Sequence, residues 1–210
     1  MWDLSLLGLS DRRFKEGQAL YRSGEVFDSV YVIRVGFVKT VALLEDGREQ
    51  VTGFYMPCEL FGLDGIASGR HRIDAVVLAN SEICVVPYHR LKSCQSQSRA
   101  IQNLLNRMFS REIVREQHML LMLGSMRAEE RVAAFLLDLS ERYRELGFSA
   151  SEFMLRLTRQ EIGSLLGLKL ETVSRIFSRF HKSGLIEVEG RRVRLVNREA
   201  LRLILVQSRT

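Results

Sequence analysis

The sequence predicts an α+β protein in three parts, and three observations support this. Residues 1–90 alternate apolar and polar positions between regularly spaced glycines, as short antiparallel strands joined by tight turns do. A helical pattern runs from about Leu91 to Gly124. Two short helical segments and a glycine-centred hairpin pattern follow within residues 127–210. We therefore predict a β-roll or jelly roll, a long helix at 91–126 and a mixed C-terminal domain, although the alternation alone also fits a small β-sandwich.

Length and charge restrict what this chain can be. With 210 residues, 46% of them hydrophobic, it suits one large or two small domains with real cores. Residues 127–210 contain 16 Lys and Arg against 11 Asp and Glu, whereas residues 1–126 contain 15 against 14. The excess positive charge therefore lies in the C-terminal part. A polyanionic partner would bind there with an affinity that falls as the salt concentration rises.

Several protein classes are disfavoured by motifs that the sequence lacks. It has no run of 18 apolar residues and no charged-then-apolar leader, so we expect a cytoplasmic protein without membrane contact. Its three cysteines are odd in number and lack metal-type spacing, which argues against a disulfide framework and a zinc site; they are Cys58, Cys84 and Cys94. Glycine-rich phosphate loops, HExxH and GxSxG are absent, so we assign no catalytic residue and expect no enzyme.

Residues 158–182 predict a helix-turn-helix. Thr158 and Glu161 have capping-box spacing, and Gly167 supplies the left-handed residue that ends a short first helix. The second helix is two-faced because its apolar residues recur at i, i+3, i+4 and i+7, namely Val173, Ile176, Phe177 and Phe180. This leaves polar residues on the opposite face, namely Glu171, Ser174, Arg175, Ser178 and Arg179.

The outward face of the second helix has the chemistry of a base reader. A carboxylate accepts from the cytosine amino group and an arginine fork matches the two acceptors of guanine, so Glu171 and Arg175 can read neighbouring base pairs. Ser174 lies between them and can contact base or phosphate. The alternative is an ordinary solvated Glu/Arg pair worth about 0.2–0.5 kcal/mol. The capped first helix and the glycine turn favour the base-reading interpretation.

A basic hairpin pattern follows the two helices. Two short runs turn at Gly190, with Arg191, Arg192 and Arg194 just beyond it, and the segment resembles the wing of a winged helix. We expect the DNA backbone to be contacted by residues around the reading helix and on this wing, namely Thr158, Ser178, Arg179, Arg191 and Arg192.

The order of motifs along the chain resembles a known family. The N-terminal part looks like the cyclic-nucleotide-binding-type β-roll of bacterial regulators, through Glu16-Gly17, Ser23-Gly24-Glu25, Asp28, Tyr31-Val32-Ile33, Gly36 and Phe61-Gly62. With the helix and the winged helix-turn-helix behind it, nearly the whole chain resembles the CRP/FNR family of transcription regulators. The resemblance implies a homodimer on double-stranded DNA and contact with RNA polymerase.

Within that family the chain is most similar to the FNR (fumarate and nitrate reduction regulator) branch. The segments that match are Gln50-Val-Thr-Gly-Phe54, Gly69-Arg-His71, residues 128–135 and residues 167–175. Members with Glu-x-x-Ser-Arg on the reading helix recognise TTGAT inverted repeats, which implies Glu171, Ser174 and Arg175 as base readers. Leu170 stands where cyclic-AMP receptors have an arginine, which disfavours their TGTGA site and offers an apolar contact to a thymine methyl. The branch responds to oxygen, so we expect an oxygen, redox or related signal.

The resemblance argues against cyclic AMP as the effector. The family's ribose-binding glutamate and phosphate-binding Arg-Ser pair correspond here to Leu63, Ile73 and Asp74, and a carboxylate repels a cyclic phosphate. Arg70 and Arg72 lie nearby, on a loop that reads as exposed. A cyclic-nucleotide-responsive regulator therefore remains an alternative hypothesis.

The branch also holds a [4Fe–4S] cluster on four cysteines, three of them in an N-terminal segment. Cys84 matches the fourth, internal position, but no cysteine precedes Cys58 in the sequence. The resemblance therefore predicts Cys84 as a metal ligand only if an upstream cysteine segment exists. Otherwise it predicts no metal, and Cys84 is an inert core thiol. The effector itself stays unassigned.

The long helix carries a pattern typical of a dimer seam. Residues at 4-3-4-3 spacing predict this seam, namely Phe109, Ile113, Glu116, Leu120 and Leu123, although packing within one chain remains the alternative. A second stripe is expected to pack on the β-roll, namely Ile101, Leu104, Leu105 and Met108. In a parallel pair Glu116 would approach its twin and oppose association, and a flanking Arg115 would relieve part of this repulsion.

Two further hypotheses concern partners and function. The turn Glu45-Asp46-Gly47-Arg48 resembles a family loop that meets RNA polymerase, and an unpartnered hairpin tip has the same pattern. A sensor protein with a vestigial DNA-binding domain is the alternative to a working regulator, and the intact reading helix argues against it.

Overall fold

The computed structural model describes residues 10–97 and 99–207 and divides into two compact units between Glu116 and Gln117. The first unit contains eight strands: β1 Ser10–Phe14, β2 Ala19–Tyr21, β3 Ser29–Val35, β4 Val38–Leu43, β5 Glu49–Tyr55, β6 Leu60–Phe61, β7 Asp74–Val77 and β8 Ser81–Pro87. They form two antiparallel four-stranded sheets, in the orders β1-β8-β3-β6 and β2-β7-β4-β5. This confirms the predicted β-roll.

The sheet that contains β3 and β8 is buried on both faces. Because successive side chains point to opposite faces, alternate residues of each strand enter different cores. Val30, Val32, Cys84 and Val86 join one cluster, whereas Tyr31, Ile33, Ile83 and Val85 join the other. The first cluster includes Leu91, Leu105 and Met108, and the second includes Tyr21, Tyr55 and Phe61. Because both faces are buried, the sequences of β3 and β8 are largely apolar without alternation.

Within the predicted long helix the structure describes two helical segments, α1 Tyr88–Gln97 and α2 Arg99–Ser125, on either side of residue 98, which lies outside the described residues. Leu105 and Met108 of α2 are buried against the β-roll, with Leu104 packed on the same cluster, as predicted for the second stripe. The side chain of Ile101 lies outside the described residues. The three-part division of the chain at residues 90 and 126 stays a prediction.

The second unit combines helices with a small sheet. Its elements are α3 Ala128–Glu145, β9 Glu152–Met154, α4 Arg159–Leu166, α5 Leu170–Lys182, β10 Ile186–Glu189, β11 Arg192–Leu195 and α6 Arg198–Gln207. The strands pair antiparallel in the order β10-β11-β9. Each of the four helices α3 to α6 contributes fully buried side chains to the core of this unit, among them Leu136, Ile162, Leu166, Phe180 and Leu201. Within the described ranges no helix has the length and apolarity that a membrane crossing requires.

Candidate DNA-reading surface

The first helix of the helix-turn-helix, α4, begins and ends as the sequence predicts. Thr158 Oγ1 accepts from the Glu161 N–H at 3.2 Å, and Glu161 Oε2 accepts from the Thr158 N–H at 2.7 Å. This reciprocal pair is a capping box, which satisfies two backbone donors at the helix start. Gly167 ends α4 with φ of 63°, in the left-handed region that favours glycine. The chain can therefore turn directly into α5.

The second helix, α5, has the two faces that its sequence predicts. Its inward residues are at most 4% exposed, namely Val173, Ile176, Phe177 and Phe180. Glu171, Arg175, Ser178 and Arg179 are exposed and Ser174 is half-buried. Leu170, at the start of the helix, is also exposed, with 43% of its surface accessible. Four buried anchors thus hold α5 in place, and its polar face is left open to a ligand.

Glu171 and Arg175 stand one turn apart without pairing to each other. Arg175 Nε donates to the backbone carbonyl of Glu171 at 3.4 Å, and neither charged group forms an ion pair within the described part of the chain. An i, i+4 pair that stabilised the helix would have brought the two charges together. The fork of Arg175 and the carboxylate of Glu171 therefore remain available for hydrogen bonds to base edges.

Arg179 differs from Arg175 because it has a protein partner. Its guanidinium forms an ion pair with Glu129 of α3. The pair compensates the charge of Arg179 and directs it toward α3. A contact between Arg179 and a phosphate would compete with this ion pair. The sequence pattern did not reveal that Arg179 pairs with Glu129.

The hairpin of β10 and β11 forms the predicted wing, and its three arginines are not equivalent. Arg192 Nε donates to Glu152 Oε1 of β9 at 2.7 Å, and Arg194 Nε donates to Glu187 Oε2 of β10 at 2.9 Å. The Arg194 side chain lowers the pKa of Glu187 by hydrogen bonding. Arg191, exposed next to the turn residue Gly190, forms no ion pair with any residue that the structure describes. Arg191 thus presents the uncompensated charge at the wing tip.

Arg159, the first residue of α4, is a basic residue of this surface that the sequence analysis did not single out. Its guanidinium carbon lies 3.6 Å from the centre of the Phe177 ring. Burial lowers the pKa of Arg159 to about 10, so the group is still charged at neutral pH. The stacking holds a cation at the start of α4, where helix N–H groups also favour anions. The sequence signal that could have identified Arg159 is its place directly after the N-cap residue Thr158.

Comparison with known proteins identifies this architecture. Residues 11–98 match the cyclic nucleotide-binding domain model, and residues 130–204 match the Crp-like helix-turn-helix domain model. The chain is 45% identical to the transcriptional regulatory protein btr of Bordetella pertussis over 93% of this chain and 81% of that protein. It is 40% identical to the fumarate and nitrate reduction regulatory protein of Escherichia coli, over 89% of this chain and 75% of that protein.

The chain belongs to the CRP/FNR family of transcription regulators. Its fold is similar to the structure of FixK2 from Bradyrhizobium japonicum, with a TM-score of 0.84, 31% identity, and coverage of 93% of this chain and 96% of that one. The expectation of a DNA-binding regulator is thereby confirmed. The expectation that the chain is not an enzyme is confirmed by the same relatives.

In this CRP/FNR regulator, the loop between β6 and β7 uses its hydrogen-bond donors internally. Asp64 accepts from the backbone N–H groups of Arg72 at 2.6 Å and Ile73 at 3.3 Å, and its other oxygen lies 3.1 Å from Nδ1 of buried His71. Arg70 Nη1 donates to the carbonyl of Gly24 at 2.7 Å. These groups are thus already occupied by protein acceptors.

The three residues that the family resemblance aligns with the nucleotide-binding set also contact other parts of the protein. Leu63 packs against the core cluster between the β-roll and the helices. Asp74 accepts from the Ser23 N–H at 2.8 Å and lies 3.6 Å from the Arg22 guanidinium. Ile73 is half-buried and its N–H is bonded to Asp64. Two carboxylates, Asp64 in the loop and Asp74 at the start of β7, therefore lie in this segment, and a carboxylate repels a cyclic phosphate.

Cys84 has the surroundings of a core thiol. It is fully buried on β8, and burial raises its pKa to about 11, with Asp11 raising it further and Arg34 lowering it. Cys58 is exposed in the turn after β5, and the side chain of Cys94 lies outside the described residues. No three or more metal-ligating side chains cluster in the part of the chain that the structure describes. Cys84 alone does not supply the four thiolates of such a cluster, so its role as a ligand stays a prediction that depends on an upstream cysteine segment.

The predicted dimer seam on α2 is exposed in its middle. Ile113 and Leu120 are 58% and 69% exposed and Glu116 is exposed, whereas Phe109 and Leu123 are half-buried. Phe109 packs against the core cluster of the β-roll. The apolar face of α2 is wider than the 4-3-4-3 pattern predicts. It also includes Val114 and Leu121, which lie seven residues apart and are 59% and 63% exposed.

Arg115, which flanks Glu116, has partners on the β-roll and on α2, and its charge still lowers the pKa of Glu116. Its role in relieving repulsion at the seam stays a prediction. Arg115 Nη1 donates to Glu59 Oε2 at 2.9 Å, and its Nη2 hydrogen-bonds to Glu112. The guanidinium also stacks over the Tyr55 ring at 4.3 Å. Arg115 therefore attaches α2 to the β-roll. Its charge is already paired with the carboxylates of Glu59 and Glu112.

Proposed function

We propose that this CRP/FNR regulator acts as a homodimer on TTGAT-type inverted repeats and reads each half-site with Glu171, Ser174 and Arg175. The observation that carries the proposal is the state of Glu171 and Arg175, which are exposed one turn apart and unpaired within the described chain. Arg175 matches a guanine and Glu171 an adjacent cytosine amino group. Leu170, exposed at the start of α5, suits a thymine methyl.

Backbone contacts are proposed for residues that flank the reading helix. Thr158 and Ser178 are exposed and offer hydroxyls, and Arg191 offers an uncompensated cation on the wing. Arg179 and Arg192 are included in the proposal. Each must first break an ion pair with a carboxylate before it can contact a phosphate. We expect these contacts to position the protein and to carry its salt dependence, since phosphate contacts hold no sequence information.

The homodimer follows from the symmetry of an inverted repeat and from the apolar face of α2. Two reading helices need a two-fold axis, and a symmetric pair buries the same surface on both copies. The exposed apolar residues of α2 supply such a surface, namely Ile113, Val114, Leu120 and Leu121. Glu116 lies among them and sets a limit on how tightly the copies associate.

The proposed role is gene control in response to oxygen, redox state or a related signal, through RNA polymerase. The similarity to the Escherichia coli fumarate and nitrate reduction regulatory protein supports this, as does the similarity to the transcriptional activator protein Anr of Pseudomonas protegens at 44% identity. The turn Glu45–Arg48 is the proposed polymerase contact. It is exposed and is held by Asp46, which accepts from Arg48 Nε at 2.7 Å. The effector is not assigned, and Cys84 is not proposed to carry it.

Mobility shift with three duplexes tests the proposal. A TTGAT inverted repeat should be bound more tightly than a TGTGA repeat of the same spacing, and both more tightly than scrambled DNA. Equal affinity for all three duplexes would favour the vestigial alternative. Preference for TGTGA, strengthened by cyclic AMP, would favour a cyclic-nucleotide-responsive regulator.

A further inference from the structure

Arg131 of α3 connects the end of the long helix to the helix-turn-helix through one side chain. Its Nη2 donates to the carbonyl of Leu123 at 2.7 Å and its Nε to the carbonyl of Met126 at 2.9 Å. Its Nη1 donates to the carbonyl of Leu166 at 3.0 Å. Leu123 lies in the last turn of α2 and Leu166 is the last residue of α4. One guanidinium therefore bridges the C-terminal ends of two helices.

The acceptors are backbone groups that helix geometry leaves without partners. The last carbonyls of a helix have no intrahelical donor and carry the negative end of the helix dipole, so a cation there is favourable. The N–H of Arg127, four residues after Leu123, donates to Glu130 Oε2 at 3.0 Å instead of to the Leu123 carbonyl. The Arg131 guanidinium donates to the Leu123 carbonyl in place of the Arg127 N–H. A planar fork with fixed donors can reach three separated carbonyls, whereas a lysine ammonium cannot.

The turn of the helix-turn-helix lies directly against this bridge. A side chain at Gly167 would bring a Cβ to 3.3 Å from Arg131 Nη1 and 3.5 Å from the Leu123 side chain. The glycine thus allows the α4–α5 turn to approach the end of α2 closely. Together, Arg131 and Gly167 define one angle between the end of α2 and the reading helix α5.

We propose that Arg131 is a positioning residue that sets the half-site spacing at which the protein binds DNA. The inference rests on the proposed homodimer on an inverted repeat. In such a dimer the two α2 helices pair, so the angle at the end of each α2 determines how far apart the two α5 helices lie. One added base pair moves a half-site by about 3.4 Å and turns it by about 34°, so a fixed angle selects one spacer length.

The test compares spacing preference with half-site preference. Affinities are measured for the wild type and Arg131→Lys on TTGAT repeats whose spacer is the preferred length, one base pair shorter or one base pair longer. A scrambled duplex is included at the preferred length. Arg144→Lys is the matched control, because Arg144 is exposed on the same helix and pairs only with Glu141 among the described residues. Melting curves of all three proteins report folding.

The wild type and Arg144→Lys should bind the preferred spacer most tightly. Arg131→Lys should lose about tenfold of that preference, comparable to one charge-assisted hydrogen bond, and keep its preference for TTGAT over scrambled DNA within about twofold. An unchanged spacing preference would overturn the inference, as would a parallel loss of half-site preference, which would mean that Arg131 only supports folding. A wild type that binds half-sites specifically but is indifferent to spacing would instead contradict the proposed dimeric site.

Discussion

Arg192 of β11 and Glu152 of β9 form an ion pair across the wing sheet, with Arg192 Nε donating to Glu152 Oε1 at 2.7 Å. Arg191, its neighbour in sequence, has no ion-pair partner among the described residues. Two adjacent arginines of the wing thus differ in whether a carboxylate already compensates their charge. Only Arg191 can contact a phosphate without first leaving a carboxylate.

Arg191→Ala should therefore change the salt dependence of binding more than Arg192→Ala. If Arg191 meets a phosphate, its loss makes the slope of log K against log salt shallower by about 0.9, equally on specific and random DNA. Glu152→Gln frees Arg192 and should make the slope steeper. Fluorescence anisotropy across a salt series measures all three. An unchanged slope for Arg191→Ala would place the wing tip off the DNA.

Cyclic AMP should not act on this protein. Asp64 accepts from the N–H groups of Arg72 and Ile73, and Asp74 adds a second carboxylate at the start of β7. A ligand that bound the folded state would raise its melting temperature by mass action. Millimolar cyclic AMP is expected to change neither the melting temperature nor the affinity for TTGAT DNA. A saturable thermal shift would reveal a phosphate site, with Arg70 and Arg72 as the residues to substitute first.

Cys84 should matter for stability rather than for DNA binding. It is fully buried in a core cluster, and its pKa is raised to about 11, so the neutral thiol predominates at neutral pH. Cys84→Ser buries a hydroxyl and should destabilise the protein by about 1–3 kcal/mol, while affinity for TTGAT DNA stays within about twofold. Urea unfolding and anisotropy measure the two effects. Lost DNA binding at unchanged stability would mean that Cys84 acts in sensing.

The local features of the site were predictable from sequence, and its long-range contacts were not. The Thr158–Glu161 capping box, the left-handed Gly167 and the buried stripe of α5 depend on residues within one or two turns of each other. By contrast, Arg192 meets Glu152 at a separation of 40 residues and Arg115 meets Glu59 at 56. Such partners are chosen by tertiary packing among many equivalent carboxylates. An exposed-looking arginine in the sequence therefore does not reveal whether its charge is free.

Glu116 should weaken association of two copies in a way that depends on pH. Glu116 is exposed overall, but the part of its side chain that is shielded from water raises its pKa; Glu112 raises it further and Arg115 lowers it. Protonation removes the repulsion between the two Glu116 side chains, so wild-type association should strengthen as the pH falls from 7 through this raised pKa. Glu116→Leu and Glu116→Gln should both associate more tightly than the wild type at pH 7 and lose the pH dependence, because neither carries the charge. Glu116→Leu should be the tighter of the two because it also adds apolar surface.

Sedimentation equilibrium over a concentration series, with and without oxygen, measures these dimer constants. If Glu116 is a solvated residue outside the interface, substitution should shift the dimer free energy by no more than about 0.5 kcal/mol. A wild type that is already a tight dimer in air, or a Glu116→Leu variant no tighter than wild type, would show that this carboxylate does not control association.

The proposed reading of bases by α5 is tested most directly by Arg175→Ala on a panel of TTGAT repeats with each base pair replaced in turn. Arg175 is exposed and unpaired, so its removal should leave the fold intact. We expect Arg175→Ala to lose about 1–3 kcal/mol of binding free energy on the intact repeat and to lose discrimination at the guanine position alone. An equal loss on TTGAT and scrambled DNA, with discrimination kept at every position, would contradict it.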